Sequence, residues 1–139
     1  MSEIKVDTLT GKTSAGDITV TSEGGAATMQ LQQGLAKAWI NFDLTSPTSS
    51  RDSFNISSLT DAAVGQTNPI SFTNNMSNAD YSGSHFANAT TGGTTSTNFA
   101  NSWAGGFGSF TTSSFGASSY DGSYTDGKLN FNTIVGDLA

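Results

Sequence analysis

The sequence contains no cysteine. Disulfides and thiolate metal sites are therefore excluded. Charge is scarce as well: Asp, Glu, Lys and Arg make up 12% of the residues, about half the usual share of a globular protein. What charge there is leans acidic, with five Lys and Arg against eleven Asp and Glu and a net charge of −6. A basic stripe for phosphate backbones is missing, which argues against nucleic-acid partners. The same deficit argues against adhesion to anionic membranes. No apolar run approaches the length of a membrane span, so no membrane insertion is expected. The opening residues Met1 to Val6 carry an early acid and no apolar stretch, and do not read as a cleaved secretory signal.

Groups that do chemistry are equally sparse. The only glutamates are Glu3 and Glu23, both near the start of the chain. Asp61, Asp80, Asp121 and Asp126 sit in turn-like contexts, where side-chain hydrogen bonding to the backbone accounts for them. Little remains for the paired acids of a glycosidase. His85 is the single histidine. With no second ligand at a fixed spacing it reads as an ordinary strand residue. A Gly-x-Ser-x-Gly elbow does not occur. The stretch 121–127 has two Asp-Gly steps, but Lys128 stands where a calcium loop would want an acid. Two turns are the better reading. Residues 105–108 are glycine-rich without the Lys and Ser/Thr that would cradle a phosphate. The expectation is a protein without enzymatic activity, metal or cofactor.

Aromatics and small polar residues are abundant. Nine Phe, three Tyr and two Trp sit singly among Ser, Thr, Asn and the sixteen glycines. Alternations such as Trp39-Ile40-Asn41-Phe42 and Ile70-Ser71-Phe72-Thr73 have the two-residue period of a half-buried strand. Frequent turn residues predict many short strands. The fold expected is all-β: one β-sandwich or jelly-roll-like domain with a short N-terminal β segment and one short helix.

Two regions are expected, 1–36 and 37–139. In the first, Ile4, Val6 and Leu9 lead into turns and the alternating run 18–21. Two short strands alone bury too little surface to be stable, so this segment needs a partner. Residues 26–36 are the one helix candidate, with Ala27, Leu31 and Leu35 on one face. That seam could pack between protomers or on its own domain. In the second region strands are expected over 38–42, 52–57, 69–73, 81–88, 97–103, 109–115 and 129–135. Turns are expected between them, including Thr60-Asp61 and Asn74-Asn75. Phe54, Phe72 and Phe131 lie on clean strands and are expected in the core. Trp103, Phe107, Tyr120 and Tyr124 adjoin glycine-rich turns. Exposed, they could stack on sugars or anchor a protein contact. Buried, they fill the core.

Four segments carry a family resemblance. They are 33–42 (QGLAKAWINF), 51–58 (RDSFNISS), 72–81 (FTNNMSNADY) and 135–139 (VGDLA). In order and rough spacing they resemble tail-fibre and related virion proteins of marine bacteriophages, including cyanophages and pelagiphages. The start, 3–9 (EIKVDTL), is similar to the start of short phage fibre proteins. The stretches 43–47 and 66–69 depart from the pattern. The resemblance implies a virion structural protein, a homotrimer held to other virion proteins of the tail or capsid. Ile4, Val6, Leu9, Ala27, Leu31 and Leu35 would then serve attachment or trimer contact. Residues 90–127, with Trp103, Phe107, Tyr120 and Tyr124, would face a host-surface glycan or protein. The alternatives are a capsid decoration or head-fibre protein, and less readily a glycan-degrading enzyme.

Overall fold

The computed structural model describes residues 3–14, 17–25, 27–45, 47–88, 106–119 and 123–139. The chain divides into two compact units, residues 1–35 and 36–139. All regular structure among the described residues is β.

In the first unit, β1 (Thr19–Thr21) and β2 (Thr28–Gln30) form an antiparallel hairpin with Val20 opposite Met29. Ser22 closes its turn. Its N–H donates to the Ala27 carbonyl at 2.8 Å, and its hydroxyl accepts from the Ala27 N–H at 3.2 Å. Gly25 turns the chain at φ +71°, a conformation glycine adopts without steric cost. The helix expected over 26–36 is thus corrected: Thr28–Gln30 is a strand and a turn follows it. A helix of that length is marginal in water. The hairpin instead gives the same backbone fixed partners, including Leu31 N–H to Ile18 O at 2.7 Å. Ala27, Leu31 and Leu35 consequently form no helical seam; Ala27 and Leu35 are exposed and Leu31 is half-buried.

The second unit is a β-sandwich of two four-stranded antiparallel sheets. Sheet I has the order β4-β3-β10-β7, formed by Ser49–Phe54, Ala36–Asp43, Leu129–Val135 and Ser82–Asn88. Sheet II has the order β5-β6-β9-β8, formed by Ile56–Ala63, Gln66–Phe72, Ser114–Ser118 and Gly106–Gly108. Alternation decides what faces inward. Ala38, Ile40 and Phe42 of β3 and Ile134 of β10 meet Ile70 and Phe72 of β6 and Phe115 and Ala117 of β9. Phe72 lies 5.5 Å from Phe115 and 5.7 Å from Tyr81, ring centre to ring centre. The Tyr81 hydroxyl donates to the Ser114 carbonyl at 2.7 Å, so the polar end of this buried ring is satisfied.

Several expected boundaries move. The strand expected over 52–57 is two strands, because Asn55 turns the chain from sheet I into sheet II at φ +57°. Its amide donates to the carbonyls of Lys37 and Asn74, both at 3.0 Å, and its Oδ1 accepts from the Asn74 N–H at 2.7 Å. Thr60 and Asp61 lie inside β5 rather than in a turn. The reversal comes at Val64-Gly65, where Gly65 has φ +68° and a Cβ would come within 2.5 Å of the Thr125 nitrogen. Pro69 in the interior strand β6 has no N–H to give the ladder, and the register against β9 shifts between Thr67 and Ile70. The strand expected over 109–115 begins only at Ser114. Before it, Thr111 binds the N–H groups of Ser113 and Ser114 and holds a turn. The strand expected over 97–103 lies outside the described residues. The segment 135–139 is tied back by a Met76–Leu138 bridge and by Ser77 N–H to Asp137 O at 2.8 Å.

Candidate functional site

The candidate contact residues are distributed unevenly. Trp103 and Tyr120 lie outside the described residues, and Phe107 is placed only as a backbone position in β8. Tyr124 is 42% exposed. In the first unit Ile4 is 85% exposed, with Val6 and Leu9 also largely in water.

The most distinctive surface lies where the expectation was wrong. Phe54 and Phe131 were expected in the core beside Phe72. Phe72 is buried, but Phe54 is 53% and Phe131 36% exposed. The register explains it. Ile40 and Phe42 fix the inner face of β3, so Trp39 and Asn41 face outward. Phe54 stands opposite Trp39, and Phe131 stands opposite Asn41 and Phe86. All three phenylalanines share the outer face of sheet I with Trp39. Two cross-strand rows result: Phe54-Trp39-Thr133-Ser84 and Asp52-Asn41-Phe131-Phe86. The rings form a diagonal across all four strands. Trp39 and Phe131 join the rows, with ring centres 6.5 Å apart and planes 26° from parallel. Leu129 and Val135 extend the apolar surface along β10.

What moved the rings outward is a polar inner face on β10. Asn130 and Asn132 are fully buried. Asn130 accepts from the Ser119 hydroxyl at 2.5 Å and donates to the Gly127 carbonyl at 2.7 Å. Asn132 Oδ1 bonds His85 Nδ1. Period-two hydropathy would assign Leu129, Phe131 and Val135 to the core. The signal against it is the pairing with β3, whose inner face is unambiguous.

His85 is absorbed by this inner cluster. Burial pushes its imidazole below the ordinary value, against the opposite pull of Asn132 and the Ser118 backbone. The folded state therefore holds His85 neutral, while the unfolded chain protonates near a pH of about 6.5. Stability is fully present above that value and falls as pH drops through it, until the folded imidazole itself protonates. Urea titrations between pH 7 and pH 5 should record this loss, and His85→Gln should flatten it. An equal slope in the variant would contradict the assignment.

Asp43, Asp61 and Asp126 are each held by neighbouring groups. Burial alone would raise the Asp43 carboxyl, but the Thr45 hydroxyl and N–H, with Arg51 and Lys128, hold it below its ordinary value. Arg51 meets Asp43 at 2.6 Å and also donates to the Phe42 carbonyl, bracing β4 against β3. Asp126 accepts from the Gly65 N–H at 2.6 Å, and Asp61 accepts from the Thr48 hydroxyl at 2.7 Å. Among the described residues no three His, Cys, Asp or Glu side chains gather as a metal site. An open groove of about 310 Å³ runs between β4 and β5. It is lined by Thr48, Ser50, Ser53 and Ser57 over Ile56 and Leu59. Its lining is hydroxyl and apolar, and the Thr48 hydroxyl at its edge is the one bonded to the Asp61 carboxylate.

The chain gives no match to protein-family models, to curated proteins or to solved structures.

Proposed function

We propose that the chain is a structural protein of a bacteriophage virion, a non-enzymatic fibre or fibre-tip module that contacts the host surface. The observation that carries it is how the four phage-like segments meet. Asn55, from the segment 51–58, hydrogen-bonds Lys37 of 33–42 and Asn74 of 72–81. Met76 and Ser77, also of 72–81, bind the segment 135–139. Residues scattered over a hundred positions thus form one hydrogen-bonded framework, which supports a resemblance of scaffold rather than of composition. An exposed aromatic surface and Tyr124 suit contact with a partner.

The first unit suits attachment and trimer contact. Its hairpin is too small to be stable by its own burial, and Ile4, Val6 and Leu9 are in water. Light scattering should give about three times the 14.3 kDa chain mass. Introducing charge at Ile4 and Val6 together should return the monomer mass without changing the melting of the sandwich. A monomeric wild type would contradict the trimer. Docking on the capsid as a decoration protein uses the same unit, and particle labelling separates it from a tail location.

A further inference from the structure

We infer that the outer face of sheet I binds a neutral glycan, laid across the strands along Phe54, Trp39 and Phe131. The inference refines the proposed host contact by naming a surface and a ligand class, and it rests on that reading only for where the glycan would come from.

The fold does not require rings at this place. On the outer face of sheet II the equivalent cross-strand row is Ser58-Ser71-Ser114, three hydroxyls. Sheet I carries rings instead, each row pairing two of them with two hydrogen-bonding side chains. Trp39 and Phe131 are near parallel, and at 6.5 Å they are offset, so neither ring covers the other. Beside them stand the Asn41 amide, the Thr133 and Ser84 hydroxyls and the Asp52 carboxylate. A sugar presents both complements: C–H faces that pack on rings, and hydroxyls that meet amides and carboxylates.

Charge and the alternation of side chains select among occupants. Asp52 is the one ionised side chain in the two rows, the Arg51 guanidinium that reaches Asn41 at 3.4 Å is paired with Asp43, and the chain carries −6 overall. A polyanionic ligand would be repelled, whereas a neutral polyhydroxylated one would not. Trp39, Phe54, Phe86, Leu129, Phe131 and Val135 together offer roughly 400 Å² of apolar surface, in the range of functional patches on monomers. A standard protein interface needs about 800 Å² on each side. Only about 57% of such an interface is apolar, so area does not decide against a second copy; the alternation of rings with hydroxyls and amides is what favours a short oligosaccharide.

The test is retention of the full chain on an array of neutral and acidic glycans, followed by calorimetric titration of the best binder. Expected is retention by neutral glycans and not by acidic ones. Phe54→Ala and Phe131→Ala should each weaken binding about tenfold with melting little changed, since both rings are exposed. Asn41→Ala should weaken it through a lost hydrogen bond and leave ring stacking in place. Retention of no neutral glycan would overturn the inference, as would equal binding by both Phe variants. A concentration-dependent mass that disappears in Phe54→Ala would assign the face to a second copy instead. Glycan retention by the isolated chain is independent of the particle, so it can fail while the virion role stands, or hold while that role fails.

Discussion

Phe115→Ala is expected to destabilise the sandwich by about 3–5 kcal/mol. Phe115 is fully buried on β9, packs against Phe72, and stands opposite Ile70 in the register. Removing the ring loses its transfer free energy and leaves a cavity between two sheets. Those sheets cannot close on it without breaking their ladders. Domains of this size have a total stability of about 5–15 kcal/mol, so much of the margin disappears. Urea unfolding should record a lower midpoint with an unchanged slope. The informative control is Phe54→Ala, expected to cost less than about 1 kcal/mol because half of that ring is already in water. Equal losses in the two variants would contradict the assignment of inner and outer faces.

Asn55→Ala should cost about 2.5–5.5 kcal/mol without touching the core. Its side chain makes three hydrogen bonds, two to carbonyls and one from a backbone N–H. Each contributes about 0.5–1.5 kcal/mol. Alanine must also hold the left-handed backbone at φ +57°, which costs it roughly 1 kcal/mol more than it costs asparagine. Asn55→Gly separates the two effects: it restores the backbone freedom and not the hydrogen bonds, and should recover part of the loss. Thermal melting of the pair decides it. If glycine and alanine fall together, backbone strain is not part of the cost. If neither falls, the corner is not the point that joins the sheets.

Much of the sandwich was legible because its strands alternate. The strand over 129–135 has the expected bounds, and Ile40 and Phe42 are where their period places them. The corner at Asn55 was not legible, since Phe54 and Ile56 read as one strand and only a positive φ splits them. The orientation of β10 was hidden for a different reason. Hydropathy ranks Phe131 above Asn130, yet Asn130 is the buried one, its cost offset by Ser119 and Gly127. Local propensity also misled over 26–36, where a good helix composition yields to hairpin pairing with β1. The candidate site suffered most, because the rings of sheet I become a surface only once the register brings four strands together.

The most direct test of the virion role is immunogold labelling of purified phage particles with an antibody to residues 36–139. The account predicts gold on the particle at a fixed place. A tail location supports host contact, and a capsid location supports decoration. Particles without gold, with the protein confined to the soluble fraction of the lysate, would contradict it.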